Sequence, residues 1–108
     1  MGKLVDSLDD LGRFSEPALM IMISLAEGPK HGYAMTQDIA QISGLQFGPG
    51  TLYGAITRLE EFEWIEPLPA EDRRRPYKLT GKGHRVLKAR LLALRKVTRI
   101  GEARLAEL

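Results

Sequence analysis

The side chains of this sequence that could do chemistry are hydrogen-bonding and cationic groups, and they cluster in residues 48–65, which read GPGTLYGAITRLEEFEWI. Pro49 suits the first turn of a helix, where free backbone N–H groups favour a phosphate. Spacings of four and three place a set of apolar side chains on one helical face: Leu52, Ile56, Leu59 and Phe62. The opposite face carries Thr51, Gly54, Thr57, Arg58 and Glu61, with Tyr53 at the flank. These short polar groups, the ring and the cation could contact phosphates and bases. Periodicity alone favours an ordinary amphipathic surface helix, so the flanking residues must decide.

Catalytic chemistry needs a constellation of residues, and this sequence has none. It contains two histidines, His31 and His84, no cysteine, no Gly-rich phosphate loop and no paired metal-ligand spacing. A histidine at a helix start, such as His31, is more often a surface or phosphate-side residue than a metal ligand when no partner ligand stands at metal spacing. We therefore expect no enzyme activity, no metal site and no cofactor.

Charge is distributed unevenly along the chain. Its 108 residues carry a net charge of only +2, but residues 73–99 hold eleven Lys and Arg and no Asp or Glu. A one-sided basic field favours a polyanion, either nucleic acid or an anionic membrane surface, although a solvated helix face is the plainer explanation of a charge run. The apolar fraction of 44% and the charged fraction of 28% are typical of a globular domain. No apolar run could span a bilayer and no export signal opens the chain, so we expect a cytoplasmic protein without a membrane partner.

The elements before the central stretch read as helices. Residues 1–14 are an N-terminal extension in which Leu4, Leu8 and Leu11 share one helical face, with a frayed terminus as the alternative. A second helix begins near Ser15, and its residues 18–26 are apolar almost all round, which predicts burial against a partner subunit as well as the domain's own core. A third helix over residues 31–43 is followed by a linker at 44–48 and the central helix, which is a helix-turn-helix order. The apolar contacts expected from the third helix are Tyr33, Ala34, Ile39, Ala40 and Ile42.

The elements after the central stretch read as a hairpin and a long helix. Residues 64–68 and 75–79 are two strands, with Pro67 and Pro69 tolerable at an edge, and a polar turn at 70–74 joins them. Thr80 can cap a helix over residues 81–106, which would be roughly 39 Å long at 1.5 Å per residue. Its apolar stripe is too long for the domain to cover, so we prefer a homodimer to a helix that folds back on the helix at 15–26. The interface residues expected are Leu19, Ile23, Leu87, Leu91, Leu94, Val97 and Leu105.

Several motifs in a fixed order resemble the PadR family of bacterial transcriptional regulators. They are HGY at 31–33, GTLY at 50–53, RLE at 58–60 with Ile65 after it, and RRRPYKLTGKG at 73–83, and the resemblance covers about residues 16–100. It implies a mainly α protein with a small β-hairpin wing: a winged helix-turn-helix that dimerises through a long C-terminal helix. It also implies repression of promoters, often until a small-molecule effector releases the protein.

Two positions depart from the pattern expected of that family. Gly54 stands where a proline is common, and it lowers helix stability by up to about 1 kcal/mol. Glu63 stands where a glycine usually separates the recognition helix from the wing. That helix must therefore end without the residue that enters the left-handed region most easily.

Together these patterns predict a winged helix-turn-helix DNA-binding domain over residues 15–80, a dimerisation helix over 81–108, and an inverted-repeat operator in double-stranded DNA. The expected DNA contacts are Lys30, His31, Tyr33, Gly50, Thr51, Tyr53, Thr57, Arg58, Arg73, Arg74 and Arg75. For each tyrosine, partial burial with the hydroxyl tied to a neighbour is an equal alternative. In the wing, Glu71 and Asp72 dilute the charge, which favours phosphate positioning over base reading.

Two other functions stay open at this level. One is a winged-helix module that binds another protein and does not recognise specific DNA. The other is a ligand sensor at the dimer interface, which is weakly supported because the C-terminal helix carries no aromatic residue.

Overall fold

The computed structural model describes residues 15–108, and it has the predicted mainly α architecture with a small sheet. The expectation for residues 1–14 lies outside this range. The elements are α1 (Ser15–Ala26), β1 (Lys30–His31), α2 (Gly32–Ser43), α3 (Pro49–Glu61), β2 (Ile65–Pro67), β3 (Pro76–Leu79) and α4 (Gly81–Ala106). No helix in this part of the chain is long and apolar enough to cross a membrane.

Local sequence signals explain where the helices begin and end. Thr80 caps α4 as predicted, because its hydroxyl accepts a hydrogen bond from the N–H of Gly83 at 3.0 Å. Pro49 opens α3, and Gly44 closes α2 in the left-handed region with a φ of 76°. The third predicted helix is one residue shorter than expected, since His31 lies outside it as its N-cap.

The core lies where α1, α2, α3, the start of β2 and the first turns of α4 meet. All three buried leucine and isoleucine positions predicted for α3 are confirmed, while Phe62 is only half-buried. For α2 the prediction was partly wrong: Ile39 is buried, but Tyr33 and Ile42 are exposed. The buried face of this helix is formed by Met35 and Ile39, which are four residues apart. The buried apolar side chains are Ala18, Ile21, Met22, Leu25, Met35, Ile39, Leu52, Ala55, Ile56, Leu59, Trp64, Ile65 and Leu87.

The sheet has one strand more than the sequence predicted. Its order is β1-β3-β2, and both pairings are antiparallel. The added strand, β1, is two residues long and pairs Lys30 with Tyr77 and His31 with Pro76. Pro67 lies in the edge strand β2, as expected for a residue that lacks an N–H. The pairing of β1 with β3 ties the start of α2 to the wing.

The exit from α3 is a Schellman turn built without glycine. Glu63 has a φ of 61°, in the left-handed region, and its N–H donates to the carbonyl of Glu60 at 2.9 Å. Trp64 donates its N–H to the carbonyl of Leu59 at 3.0 Å, and both side chains are fully buried. The Trp64 ring also lies 5.1 Å from the ring of Phe62, centroid to centroid. The position where the family pattern has glycine therefore does require a left-handed backbone here.

A compact joint connects this exit to the start of α4. The carbonyl of Trp64 accepts the N–H of Thr80 at 3.0 Å, and the hydroxyl of Thr80 donates to the carbonyl of Glu63 at 2.6 Å. Gly83 packs directly on this backbone, since a Cβ at residue 83 would lie only 2.0 Å from the Trp64 carbonyl oxygen. No side chain fits there.

The long helix α4 leaves the core after its first turns. Leu87, predicted at a dimer interface, is instead 5% exposed and packs in the core of its own chain. Beyond it, apolar side chains face outward, with Leu91 42%, Val97 65% and Leu105 70% exposed. Leu94, Leu19 and Ile23 are half-buried. The helix thus folds back on α1 over its first turns only.

We expect Glu63→Gly to stabilise the fold, because glycine adopts a φ near 60° without the penalty of about 1 kcal/mol that a side chain brings to this region. Urea unfolding followed by the fluorescence of the buried Trp64 measures the change. Glu63→Ala, which keeps the Cβ, is the matched control and should bring no gain. Equal stability of the Gly and Ala variants would contradict the assignment of strain to this residue.

Candidate nucleic-acid interface

The exposed face of α3 presents the polar groups that the sequence predicted. Gly50, Tyr53 and Thr57 follow each other at spacings of three and four on the solvent side, with Thr51 and Arg58 beside them. The hydroxyl of Thr57 donates to the carbonyl of Tyr53 at 2.9 Å, so its oxygen lies close to the helix surface. Arg58 pairs with Glu61 at 3.4 Å, but both side chains are more than half exposed, and such a pair is weak.

A concavity of about 260 Å³ lies between α3, the start of α2 and the wing. Six of the predicted contact residues line it, although they come from three separate segments of the chain. They are joined by Gly32 and Tyr77, which the sequence analysis did not assign. The full lining is His31, Gly32, Tyr33, Tyr53, Arg73, Arg74, Arg75 and Tyr77.

The tip of the wing is a tight two-residue turn. Glu71 and Arg74 exchange two backbone hydrogen bonds, of 2.7 and 2.8 Å, around Asp72 and Arg73. Both central residues have a positive φ, 47° and 66°, which is the geometry of a type I′ turn. That turn type favours Asn-Gly or Asp-Gly, so an arginine at the second central position is conformationally unfavourable.

The three arginines of the wing have different surroundings. Arg75 donates to the carbonyl of Leu68 at 2.7 Å and so braces one strand of the hairpin against the other. Arg74 places a guanidinium nitrogen 3.3 Å from Nε2 of His31, which brings the wing next to the start of α2. Among the described residues, Arg73 makes no hydrogen bond or ion pair, and its side chain is exposed. Arg73 is therefore the wing cation most available to a partner.

His31 has a structural task as well as an exposed edge. Its Nδ1 accepts the N–H of Ala34 at 3.3 Å and caps α2. An imidazole accepts a hydrogen bond through only one nitrogen, so in any one tautomer the ring holds either this cap or the guanidinium of Arg74. With the cap formed, Nε2 carries the proton, and two donors lie side by side at 3.3 Å. A phosphate oxygen could accept from both.

Neither tyrosine of the predicted interface is buried. Tyr33 is 63% exposed and its hydroxyl accepts a hydrogen bond from the side-chain amide of Gln37 at 3.1 Å. Tyr53 is 51% exposed, and the end of its ring lies over the first residue of α2. The two rings flank the concavity with polar atoms that can still reach a ligand.

Tyr77 supports the base of the concavity. Burial raises the pKa of its phenol, and the carboxylate of Glu60 and the neighbouring Tyr53 add to the rise, while Arg75 opposes it. The phenol therefore stays protonated through the physiological range and keeps its hydrogen as a donor. Two signals in the sequence could have singled this side chain out: the alternation along β3 and its place in the motif RRRPYKLTGKG.

Lys30 does not join the other predicted contacts. Its ammonium group lies 2.9 Å from Glu27 and 3.9 Å from Asp38, and it also donates to the carbonyl of Ser24. Its side chain is only 15% exposed. A phosphate would have to displace these oxygen partners, so Lys30 stabilises the loop between α1 and β1 instead of facing outward.

A curated relative, an uncharacterised 37.1 kDa protein of a Streptomyces fradiae transposon, is 43% identical over 75 residues, which are 69% of this chain and 22% of that protein. This chain therefore spans about a fifth of that relative.

Two solved structures share the fold. A transcriptional regulator from Clostridium thermocellum is 25% identical with a TM-score of 0.73, and the match covers 87% of this chain and 93% of the other. A PadR family transcription regulator from Clostridium difficile is 21% identical with a TM-score of 0.75, over 82% of this chain and 97% of the other. Residues 21–89, well over half of the chain, match the model of the PadR-like family. The protein belongs to the PadR-like family of transcriptional regulators.

Proposed function

We propose that this protein is a sequence-specific DNA-binding transcriptional regulator that acts as a homodimer on an inverted repeat and represses its target promoter. The observation that carries the proposal is the concavity in which α3, the start of α2 and the wing present tyrosines, a histidine and arginines on one surface. Membership of a regulator family supports the same conclusion. Such a protein would act in the cytoplasm, where the chromosome of a bacterium lies.

In this proposal α3 enters the major groove. Its exposed face presents the hydroxyl groups of Thr51 and Thr57 and the ring of Tyr53, which can bond or contact base edges, and Arg58 lies beside Thr57. Gly50 and Thr51 belong to the first turn, whose N–H groups point toward a phosphate. The partners expected to read bases are thus Thr51, Tyr53, Thr57 and Arg58.

The wing and the start of α2 would hold the phosphate backbone. His31 and Arg74 offer neighbouring donors, a pattern that suits one phosphate oxygen. Arg73 occupies a backbone conformation that glycine adopts at much lower energy. A residue kept in an unfavourable conformation at an exposed tip supports a functional role for its side chain, which here is a cation.

The second half of α4 supports the dimer. Leu91, Val97 and Leu105 expose apolar surface along a helix of 26 residues. Exposed apolar surface of this extent marks an interaction site. Leu19 and Ile23, which are half-buried on α1, are expected to join the same interface. Since Leu87 is used in the core of its own chain, the interface starts near Leu91. A two-fold partner would place two copies of α3 about one DNA turn apart.

The effector part of the proposal has one supporting feature. A groove of about 310 Å³ runs along α4 beside the end of α1, lined by Ala26, His84, Leu87, Lys88, Leu91, Leu92 and Arg95. Its volume is at the lower end of small-molecule sites. The described lining has no Phe, Tyr or Trp ring and carries Lys88 and Arg95, so it fits an aliphatic or acidic compound better than a large planar one that stacks.

Selection of a randomised duplex library on the purified protein, followed by sequencing, tests the function. We expect enrichment of an inverted repeat and an affinity that falls steeply with salt. Salt-sensitive binding without enrichment would mean backbone-only recognition and would contradict sequence specificity. Absence of any DNA binding would favour the protein-interaction module instead.

The Arg73→Gly variant separates conformation from charge at the wing. We expect it to unfold at a higher urea concentration, because glycine relieves the left-handed strain of about 1 kcal/mol. Its DNA affinity should fall, and the slope of log affinity against log salt should decrease by about 0.9, the value for one lost phosphate contact. Titration of the selected duplex at several salt concentrations measures the DNA affinity and the salt slope. Arg73→Lys, which keeps the cation, should bind with the wild-type slope, and an unchanged slope for the glycine variant would count against a phosphate contact.

Leu91→Asp should give a monomer in sedimentation-velocity ultracentrifugation, because a carboxylate at a buried apolar seam would lose its hydration without a partner. Leu91 is 42% exposed in the single chain, so the substitution should leave the monomer folded. Ala103→Asp is the matched control, since at 100° per residue the exposed Ala103 lies 120° or more around the helix from Leu91, Val97 and Leu105. The interface would be refuted by a dimeric Leu91→Asp protein, or by a control that also dissociates.

A further inference from the structure

Gly32 has no conformational reason to be a glycine. It is the first residue of α2 and is buried. Its φ lies outside the left-handed region, unlike those of Gly28 and Gly44 at 157° and 76°. Alanine would satisfy the same backbone and favours helices by up to about 1 kcal/mol over glycine. A reason for glycine must therefore come from what lies next to its Cα.

The neighbour is the end of the Tyr53 side chain. A Cβ at residue 32 would lie 2.4 Å from the Tyr53 hydroxyl oxygen, 2.9 Å from Cζ and 3.3 Å from Cε1. The first two distances are too short for non-bonded atoms, so the ring and a side chain at residue 32 cannot occupy their places together. Gly32 thus leaves the space into which the Tyr53 ring fits.

The consequence of adding a Cβ depends on whether the neighbour can move. At Gly83 the neighbour is the backbone carbonyl of Trp64, which the hydrogen bond from Thr80 fixes. At Gly32 the neighbour is the far end of a half-exposed ring that can rotate about its χ angles. A methyl group at residue 32 would therefore displace the Tyr53 ring and leave the fold intact.

We propose that Gly32 is a positioning residue for DNA recognition: it sets the place of the Tyr53 ring on the DNA-facing surface, so that a residue of α2 controls a contact made by α3. This inference rests on the proposed function, because it takes Tyr53 to contact DNA. The ring lies between Gly32 and the wing in one concavity, together with Tyr77 and the wing arginines. Moving it changes the surface that a duplex meets without removing any group that could bind it.

A double-mutant series tests the proposal with the selected duplex at low salt, where weak variants still bind measurably. Gly32→Ala should lower DNA affinity roughly ten-fold, within the range for coupled neighbouring residues, and should leave the melting temperature unchanged or slightly higher. The loss caused by Gly32→Ala should shrink in a Tyr53→Phe background, where the oxygen at 2.4 Å is gone but Cζ remains at 2.9 Å. It should vanish in a Tyr53→Ala background, where neither atom remains. Gly83→Ala serves as the contrasting control and should lower the melting temperature.

The outcomes separate this inference from the proposed function. Wild-type protein that does not bind the duplex overturns the function. If the wild type binds and Tyr53→Ala weakens binding, the inference fails in any of three cases: Gly32→Ala binds normally, loses the same affinity in all three backgrounds, or loses stability in proportion to affinity.

A readout without DNA decides the geometry: nuclear Overhauser effects between the Hα protons of Gly32 and the ring protons of Tyr53 should be present in the wild type. Their absence there would overturn the inference, as would an unmoved ring in a structure of Gly32→Ala.

Discussion

The contact between Gly83 and the backbone of Trp64 is the constraint on which the rest of the structure depends. Three elements with different tasks meet there: α3 ends, the wing begins and α4 starts. The Trp64 carbonyl accepts from Thr80, the Thr80 hydroxyl donates to the carbonyl of Glu63, and a Cβ at Gly83 would lie 2.0 Å from the Trp64 oxygen. Because backbone atoms fill the joint on both sides, none of the three elements can shift without breaking hydrogen bonds next to the buried Trp64 and Gly83. A polar group left unpaired in such a buried place costs about 1–3 kcal/mol.

Within residues 15–108, the non-glycine residues with left-handed backbone all belong to the same small region. Glu63 lies before the wing, and Asp72 and Arg73 form its tip. The hairpin is held by a few backbone pairs between β2 and β3, by the two-residue strand β1, by the hydrogen bond from Arg75 to the Leu68 carbonyl and by the Lys78–Glu66 ion pair at 3.4 Å. Conformational strain is thus concentrated where packing is thin, whereas the buried helices carry no such residue. This distribution fits a rigid helical core and a wing that can change its conformation more easily.

Local signals made most of the fold predictable, and contacts between distant residues account for what was missed. Pro49, Thr80 and the apolar spacing of α3 act within one or two turns, so they fixed the ends of two helices and one buried face. The departure at Glu63 left the geometry of the helix exit undecided, and the structure shows that residue 63 keeps the left-handed conformation that a Schellman turn needs. In contrast, β1 forms only because β3 lies beside it, and Lys30 turns inward only because Glu27 and Asp38 converge on it. The contact of His31 with Arg74 spans 43 positions, and no spacing rule reports such a pair.

The length of α4 gives the joint at Trp64 a mechanical meaning. This helix is continuous from the base of the wing to its exposed apolar end, with no proline to bend it. It therefore works as a lever: a tilt of about 5° at the joint moves the far end of a helix of ~39 Å by about 3 Å. In the proposed dimer the same geometry applies in the other direction. A displacement of a few ångströms at the dimer interface rotates the DNA-binding surface by only a few degrees. The distance between the two recognition helices would then be set chiefly by the length of α4. A compound that separates the two copies of α4 would move both recognition helices away from their half-sites at once.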